Sequence, residues 1–572
     1  MLAPLLDTLG GRAAAHAEYL NFQEHWQRAI AAVAATVTGE SFTSSEVKNF
    51  AEPVSDFTGH GRPSANVGRG SSINRTRSGA APLQVFLDRA GCLEFARGRI
   101  GNVLGADFAH IDSFPTRVRL PDEPLRLVDR ILEVEGEPRS LRPGRVVTEH
   151  DVLPGAWYLD GGRMPTSITV EAGQADLFLA GYLGIDERTQ GKAVYRLLDA
   201  VVTFHDSLPQ PGQTVRYDIR INQFFQQGDT HLFRFQFDAT VNGQPLLTMR
   251  DGCAGFFTAA ALAAGRGIVA ANGPSRPTRG LSLQDTFYIP PEQLSEAEVA
   301  ALYAGDLSTG LGPRFPKLPF PRPATLPVGR LKLVDRVLEI SLNGGRFGQG
   351  LIRAESNVLP GAWYLRCHFV DDQVMPGTLM YECCLHTLRL FLMGIGWIGE
   401  EGQTWAGPIP GLASRLKCRG QVTAKTQRVV FEIHLRELGL EPVAFAIADA
   451  LIYADGRPIV EITDMGLRLE GITRSTLQRL WGQTVARTTA AASQGSRDCN
   501  QLESCAGRKV TSNASQPRRR KPLFDRDRIL AFAIGKPSEA FGPPYAVFDR
   551  ERVIARLPGP PYQFLDRIVH IA

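Results

Sequence analysis

The sequence predicts an α+β chain: two copies of one domain, each wrapping an antiparallel sheet round a buried helix, and the opening of a third copy. Three observations carry this. The octapeptide Val-Leu-Pro-Gly-Ala-Trp-Tyr-Leu occurs at Val152–Leu159 and again at Val358–Leu365. Each copy is followed by a helical stretch, 168–183 and 377–393, and the second is apolar on nearly every face, the mark of a helix enclosed by other structure. Behind each helix come alternating stretches broken by turn residues, which read as strands of a meander.

The duplication is broad. Leu127-Val128-Asp129-Arg130 and Leu333-Val334-Asp335-Arg336 share the 206-residue offset of the octapeptides, and Phe564-Leu565-Asp566-Arg567 supplies a third lead-in. Glycine pairs precede each one, at Gly98/Gly105, Gly305/Gly312 and Gly535/Gly542. The stretch from Phe532 to Arg567 aligns without gaps on that from Phe95 to Arg130. A repeat of this length means whole duplicated domains. The chain is therefore read as a helical tail (1–50), a linker (51–84), unit one (85–270), unit two (271–471), a second linker (472–522) and the start of a third unit (523–572).

Each element has a local cause. Residues 13–37 are Ala-rich and helical in pattern, too few to hold a core of their own. From Glu52 to Pro82 the chain is Gly, Ser, Arg, Asn and Pro, and 473–522 is rich in Ala, Ser, Thr, Gln and Arg, both linker compositions. Within unit one, 125–134 alternates as a strand or a helix end leading into one. Residues 214–221, 232–241 and 245–250 are strands, with Asn242-Gly243 as a hairpin turn. Their counterparts in unit two are 429–435, 444–453 and 459–462, turning at Asp455-Gly456. The repeated Asp129, Asp335 and Asp566 with their arginines are read as fold-fixing groups.

Composition narrows the classes. Hydrophobic content of 43% and charged content of 21% fit globular domains, and a net charge of +4 is too small to argue for nucleic acid. Much of the positive excess sits in Arg518-Arg519-Arg520-Lys521, read as a solvated linker run. Eight cysteines show no metal spacing and no disulfide framework, which fits a reducing compartment; Cys383 and Cys384 read as core. No apolar run approaches the roughly 20 residues a membrane helix needs. A cytoplasmic protein without metal or bound cofactor is expected.

The two octapeptides lead into different segments. After the first come Met164-Pro165 and Glu171; after the second, His368, Met375-Pro376-Gly377 and Glu382. In each copy the glutamate stands six residues past the proline, but only the second has the histidine, and unit one is five residues shorter between its Trp and its Met. Imidazole is the natural base near neutral pH. A carboxyl group in an apolar setting can stay protonated and act as an acid. Pro376 suits the first turn of a helix, and Gly377 would let a substrate carbonyl approach a free N–H at the positive helix end.

The segment Cys367-His368-Phe369 to Met375-Pro376-Gly377 and Glu382 resembles the hot-dog-fold dehydratases of fatty acid synthesis. The similarity is to the 3-hydroxydecanoyl thioester dehydratase/isomerase type, and Glu382 stands where that type has Asp. The likeness continues through Phe431–Leu435 and Ile452–Val460. The arrangement of a His-less unit before a complete one resembles the dehydratase region of bacterial polyunsaturated fatty acid synthases. The resemblance implies a double hot dog that dehydrates 3-hydroxyacyl thioesters, with double-bond isomerisation as a further capacity. The substrate would be carried on the phosphopantetheine of an acyl carrier protein, beside other synthase domains, and double hot dogs could pair as a homodimer. In the family the histidine of one protomer works with the acid of the other. Units one and two would then form that dimer in one chain: His368 the base, Glu171 the acid, Gly377 N–H the oxyanion donor, and Glu382 facing an empty position. Pairing of His368 with Glu382 inside unit two stays open as an alternative. His386 and Gln174 are candidates to orient Glu382 and Glu171, and Asp372 to brace the histidine loop. A hot-dog thioesterase and a non-catalytic docking or gating scaffold are the other readings.

Overall fold

The computed structural model describes residues 85–269, 286–313, 315, 318–482 and 526–549. The expected tail at 1–50, the linker at 51–84, the basic run at 518–521 and Asp566 lie outside the described residues.

Unit one contains β1 (Arg130–Glu135), β2 (Gly144–Asp151), β3 (Ala193–Phe204), β4 (Thr214–Gln227), β5 (Thr230–Val241) and β6 (Gln244–Thr258). Unit two contains β7 (Arg336–Ser341), β8 (Leu351–Asn357), β9 (Trp405–Gly407), β10 (Ala413–Cys418), β11 (Arg428–Gly439), β12 (Ala444–Ala454) and β13 (Arg457–Glu470). Twelve of these form one antiparallel path, β1-β2-β4-β5-β6-β3-β10-β13-β12-β11-β8-β7, with β9 paired to β13. The two halves are the same sheet read in opposite directions, joined at the β3–β10 seam. There Leu416 lies opposite Ala200, and Ser414 opposite Val202. This is a double hot dog.

The strands are longer than the alternating stretches that announce them, because edge-to-edge pairing carries them past their apolar cores. β4 shows the alternation well, with Val215, Tyr217, Ile219 and Ile221 buried. The β5–β6 and β12–β13 hairpins turn at Asn242-Gly243 (φ 52° and 77°) and Asp455-Gly456 (φ 47° and 83°). Two successive positive φ values are what a two-residue hairpin matching strand twist requires.

The central helix of unit two, Gly377–Gly394, is unbroken and buried on all sides. In unit one the expected helix over 168–183 is instead two segments, Thr166–Glu171 and Asp176–Tyr182. The break has a packing cause. A Cβ on Gly173 would sit 2.7 Å from the Phe237 ring, so the chain presents a glycine to that aromatic and forfeits about 1 kcal/mol of helix propensity there. Gly173 N and Gln174 N bond back three residues, to Val170 O and Glu171 O, which tightens the end of the first segment. In chain order, α1 is Arg89–Arg97, α2 Thr166–Glu171, α3 Asp176–Tyr182 and α4 Gly377–Gly394. α2 packs against α4 across the seam.

The lead-in aspartates do equivalent work. Asp129 accepts from Asp151 N at 2.9 Å and Asp335 from Asn357 N at 2.8 Å, each tying the lead-in to the end of the second strand of its unit. Residues 474–482 are helical and Trp481 is buried, donating to Gly396 O at 2.9 Å, so this part of the expected linker belongs to unit two. In the third copy, helices Arg526–Ile534 and Pro537–Phe541 and the 3-10 turn Pro543–Asp549 repeat Arg89–Arg97, Ile100–Leu104 and Ala106–Ser113. Ser538 N donates to Asp549 as Gly101 N does to Asp112.

Candidate active site

His368 ends the short helix Trp363–Cys367, and the loop after it is tied down by its own backbone. Phe369 N donates to Asp372 O, Val374 N to His368 O at 2.9 Å, and Met375 N to Val422 O at 2.9 Å. The His368–Phe369 peptide is cis. Unit one holds the loop from the other side: Arg196 of β3 makes a two-pronged pair with Asp372 (2.5 and 3.1 Å), and Arg119 donates to Asp371 at 2.7 Å. Asp372 thus braces the loop through an ion pair to the other unit.

His368 Nδ1 lies 2.9 Å from Val374 O. A carbonyl only accepts, so the neutral ring carries its proton on Nδ1 and leaves Nε2 bare. Burial pushes the imidazole below its ordinary range, against the opposing pull of Glu171 and the Val374 carbonyl. The bare Nε2 lies 3.7 Å from Glu171 Oε1. Glu171 is the last residue of α2 and is buried. Its other oxygen accepts from Thr378 Oγ1 at 2.5 Å, so the carboxyl group is fixed by α4 with one oxygen turned toward the histidine.

Gly377 opens α4 and lines the same cavity, together with Glu171, Gln174, Tyr195, His368 and Met380. Its N–H is one of those a helix start leaves without an internal partner. A Cβ added there would meet nothing closer than 3.8 Å, and its nearest neighbours are Cys418 Sγ, Leu416 Cδ2 and Leu197 Cδ2. Packing does not demand the glycine, since these are ordinary van der Waals distances.

Glu382 keeps different company. It accepts from Ser167 N at 3.1 Å and lies 3.3 Å from His386 Nε2, and all three residues are buried. Burial raises its pKa, but His386 and Ser167 outweigh this and hold the carboxyl below the usual range. The position that Glu382 faces is therefore not empty: the start of α2 occupies it. The two glutamates are related by the pseudo-twofold of the pair, each bonded to the residue after the helix-opening position of the other unit. Only Glu171 faces a histidine supplied by the other unit.

Several residues at this site carry no sequence signal of their own. Thr378 is adjacent to a motif glycine, which is the one clue available. Tyr195 and Arg196 come from β3, a strand the alternation does not single out. Tyr195 OH lies 3.1 Å from Asp176, which is buried at the start of α3 and pushed up to about 7 by that burial. Gln174 contacts Tyr195 OH at 3.5 Å and lines the cavity. Among the described residues no cluster of His, Cys, Asp and Glu could hold a metal, and no helix is long and apolar enough to cross a membrane.

Comparison with known proteins gives these two units relatives. The FabA-like domain family matches residues 120–250 and 326–463. A polyunsaturated fatty acid synthase subunit of Thraustochytrium sp. (strain ATCC 26185 / S-3) is 36% identical over 373 residues, 63% of this chain and 25% of that protein. The chain thus spans about a quarter of the length of this relative. Among solved structures, the dehydratase domain from the CurJ module of curacin polyketide synthase aligns with TM-score 0.32 and 10% identity, over 61% of this chain and 97% of that one. A putative oleoyl thioesterase from Lactobacillus plantarum aligns with TM-score 0.30 and 12% identity, over 57% and 95%.

Proposed function

We propose, from the match of residues 120–250 and 326–463 to the FabA-like domain family, that the pair dehydrates 3-hydroxyacyl thioesters at a single composite site. One observation carries the reading: a bare imidazole nitrogen of unit two and a buried carboxyl of unit one, 3.7 Å apart, in a cavity that the helix-opening Gly377 also lines.

In this reading the thioester carbonyl accepts from Gly377 N–H, where the partial positive charge of the α4 start stabilises enolate character. His368 Nε2 takes the proton from C2. The C2–H electrons form the C2=C3 bond as the C3–O bond breaks, and Glu171 gives its proton to the departing hydroxyl, which leaves as water. The site is left with a protonated His368 and an ionised Glu171, and transfer of that proton back resets it. Thr378 positions Glu171, and Arg196–Asp372 positions the histidine loop. The substrate is carried as a thioester on the phosphopantetheine arm of an acyl carrier protein, as suits a relative of a fatty acid synthase, and the reaction draws on no resident cofactor. Moving the new double bond would use the same imidazole.

The test is direct. Purified protein is incubated with a 3-hydroxyacyl thioester, and loss of water is followed by mass spectrometry and by enoyl-thioester absorbance. The wild type should form the enoyl product, and His368→Ala should not. Release of free thiol without enoyl product would assign a thioesterase. Absence of any conversion, with the thioester bound, would assign a carrier or gating role.

A further inference from the structure

The catalytic cavity has an apolar neighbour beside it. Gln174 and Leu197 line both it and a second, apolar cavity. This second space passes between the starts of the two helices, with Ser167 and Val170 on one side and Thr378 and Tyr381 on the other. It then follows the seam strands to Phe204, Met249, Ile409 and Leu412.

Sheet register identifies where that far end lies. Val215 is opposite His150, and Val429 is opposite Ser356, which fixes the alignment of β4 on β11. Val202 is opposite Met249 and Leu416 opposite Ile462, each pair in step with its hairpin turn, which fixes β3 on β10. Val202 is thus equivalent to Leu416, and Ala200 to Ser414. At the seam Val202 faces Ser414 and Leu416 faces Ala200, so the middle of the channel sits on the pseudo-twofold axis. In the same alignment Phe204 stands where Cys418 stands in the catalytic cavity, and Ile409 where Tyr195 stands. The far end of the channel is the place of the second catalytic site, the one that lost its histidine loop.

Two further features keep that place open and apolar. β3 runs from Ala193, but β10 begins only at Ala413; the residues before it turn instead, with Leu412 N bonded to Ile409 O at 3.2 Å. Glu382, the acid left without a histidine loop from the other unit, is pinned to Ser167 N and His386 and does not line the channel. From Leu197 to Phe204 the channel follows β3 for roughly 20 Å, at about 3.3 Å per residue.

We propose that the lost catalytic site has become an acyl-chain compartment: the chain of a thioester held at His368 passes Leu197 and Gln174, crosses the seam between the starts of α2 and α4, and ends against Ile409, Leu412, Phe204 and Met249. This rests on the dehydratase reading and adds to it a preference for long apolar chains, with Ile409 and Leu412 setting the limit. Each methylene buried there gains roughly fourfold in binding.

The test compares kcat/KM for 3-hydroxybutanoyl and 3-hydroxyhexadecanoyl thioesters on the same carrier, in wild type, Leu412→Trp and Ile409→Trp. The long-to-short ratio should exceed about tenfold in wild type and fall at least about tenfold in each variant. A ratio unchanged in both folded variants overturns the compartment while leaving the dehydratase reading intact. Should either variant fail to fold, a long-chain thioester with a terminal photoreactive diazirine is used on the wild type. Labelling at 409–412 or at Phe204 and Met249 supports the path, and labelling confined to other segments overturns it. Turnover of neither substrate sinks the dehydratase reading, and the compartment with it.

Discussion

Replacing each glutamate by glutamine in turn gives two opposite phenotypes if the site is composite. Gln at 171 preserves shape, and its amide oxygen still accepts from Thr378 Oγ1, so the fold should be untouched. It has no proton to deliver to a leaving hydroxyl. Loss of a general acid lowers rates by ~10²–10⁴, which corresponds to about 3–5 kcal/mol of transition-state stabilisation. Gln at 382 should do the reverse. Glu382 bonds Ser167 N at 3.1 Å and contacts His386 at 3.3 Å inside the protein. Its amide substitute can still accept from Ser167 N–H but loses the charge, and charged hydrogen bonds are about twice as strong as neutral ones. The expected cost is about 1–2 kcal/mol of stability, with kcat/KM kept within roughly tenfold of wild type. Initial rates of enoyl formation and urea unfolding midpoints, measured on the same preparations, separate the two. If Glu382→Gln is the change that stops catalysis and Glu171→Gln is nearly neutral, the histidine works within unit two and the cross-unit pairing is wrong.

Three other outcomes follow from the geometry. Gly377→Ala should fold as well as wild type or better by about 0.4–1 kcal/mol, because its Cβ meets nothing within 3.8 Å; it should nonetheless lose activity, and a fully active variant would remove the oxyanion role. Thr378→Val removes the hydroxyl that donates to the Glu171 carboxyl, so kcat should fall while KM and the urea midpoint stay near wild type; an unchanged kcat would mean that this bond does not position the acid. Because burial depresses the His368 pKa, the acid limb of kcat/KM should lie below about 6.5. The unfolded chain then takes up this proton more readily than the folded one. This contribution to stability is present above about 6.5 and lost as pH falls from there through the folded value. Urea midpoints at pH 7 and 5 should show it, and His368→Gln should flatten the difference; an unchanged slope would argue that His368 is not buried in the neutral form.

The duplication, the hairpin turns and the histidine-to-glycine segment are legible in the sequence because each depends on local pattern. A repeated octapeptide needs no structure to be seen, and Asn242-Gly243 announces its φ values. What stays hidden depends on contacts far apart in the chain. The β3–β10 seam joins strands more than two hundred residues apart, and β10 is only Ala413–Cys418; nothing in six residues says that they close a pseudo-dimer. The break at Gly173 is set by Phe237, a ring delivered by β5. The bond from Thr378 to Glu171 exists only because two helices from different units meet.

That same dependence explains how one site could be lost without loss of the fold. In a symmetric pair each acid faces the other unit's histidine loop, and deleting one loop would leave a buried carboxylate with nothing to face, a cost of several kcal/mol when a charge is stranded. Here Glu382 is met by the backbone N–H of Ser167 and by His386, both already fixed by their own helices. On the other side Glu171 is met by Thr378 and leaves one oxygen toward His368. The asymmetry between the units therefore lies less in the two glutamates than in what surrounds each one: a tethered histidine loop held by Arg196 and Arg119 in front of Glu171, and the start of α2 with His386 around Glu382. Restoring a histidine loop to unit one alone should consequently fail to create a second working site unless Glu382 is also released from His386. His386→Ala combined with the grafted loop is the pair of changes that would show it, by a rise in active-site titre from one to about two per chain, whereas the graft alone would leave the titre at about one.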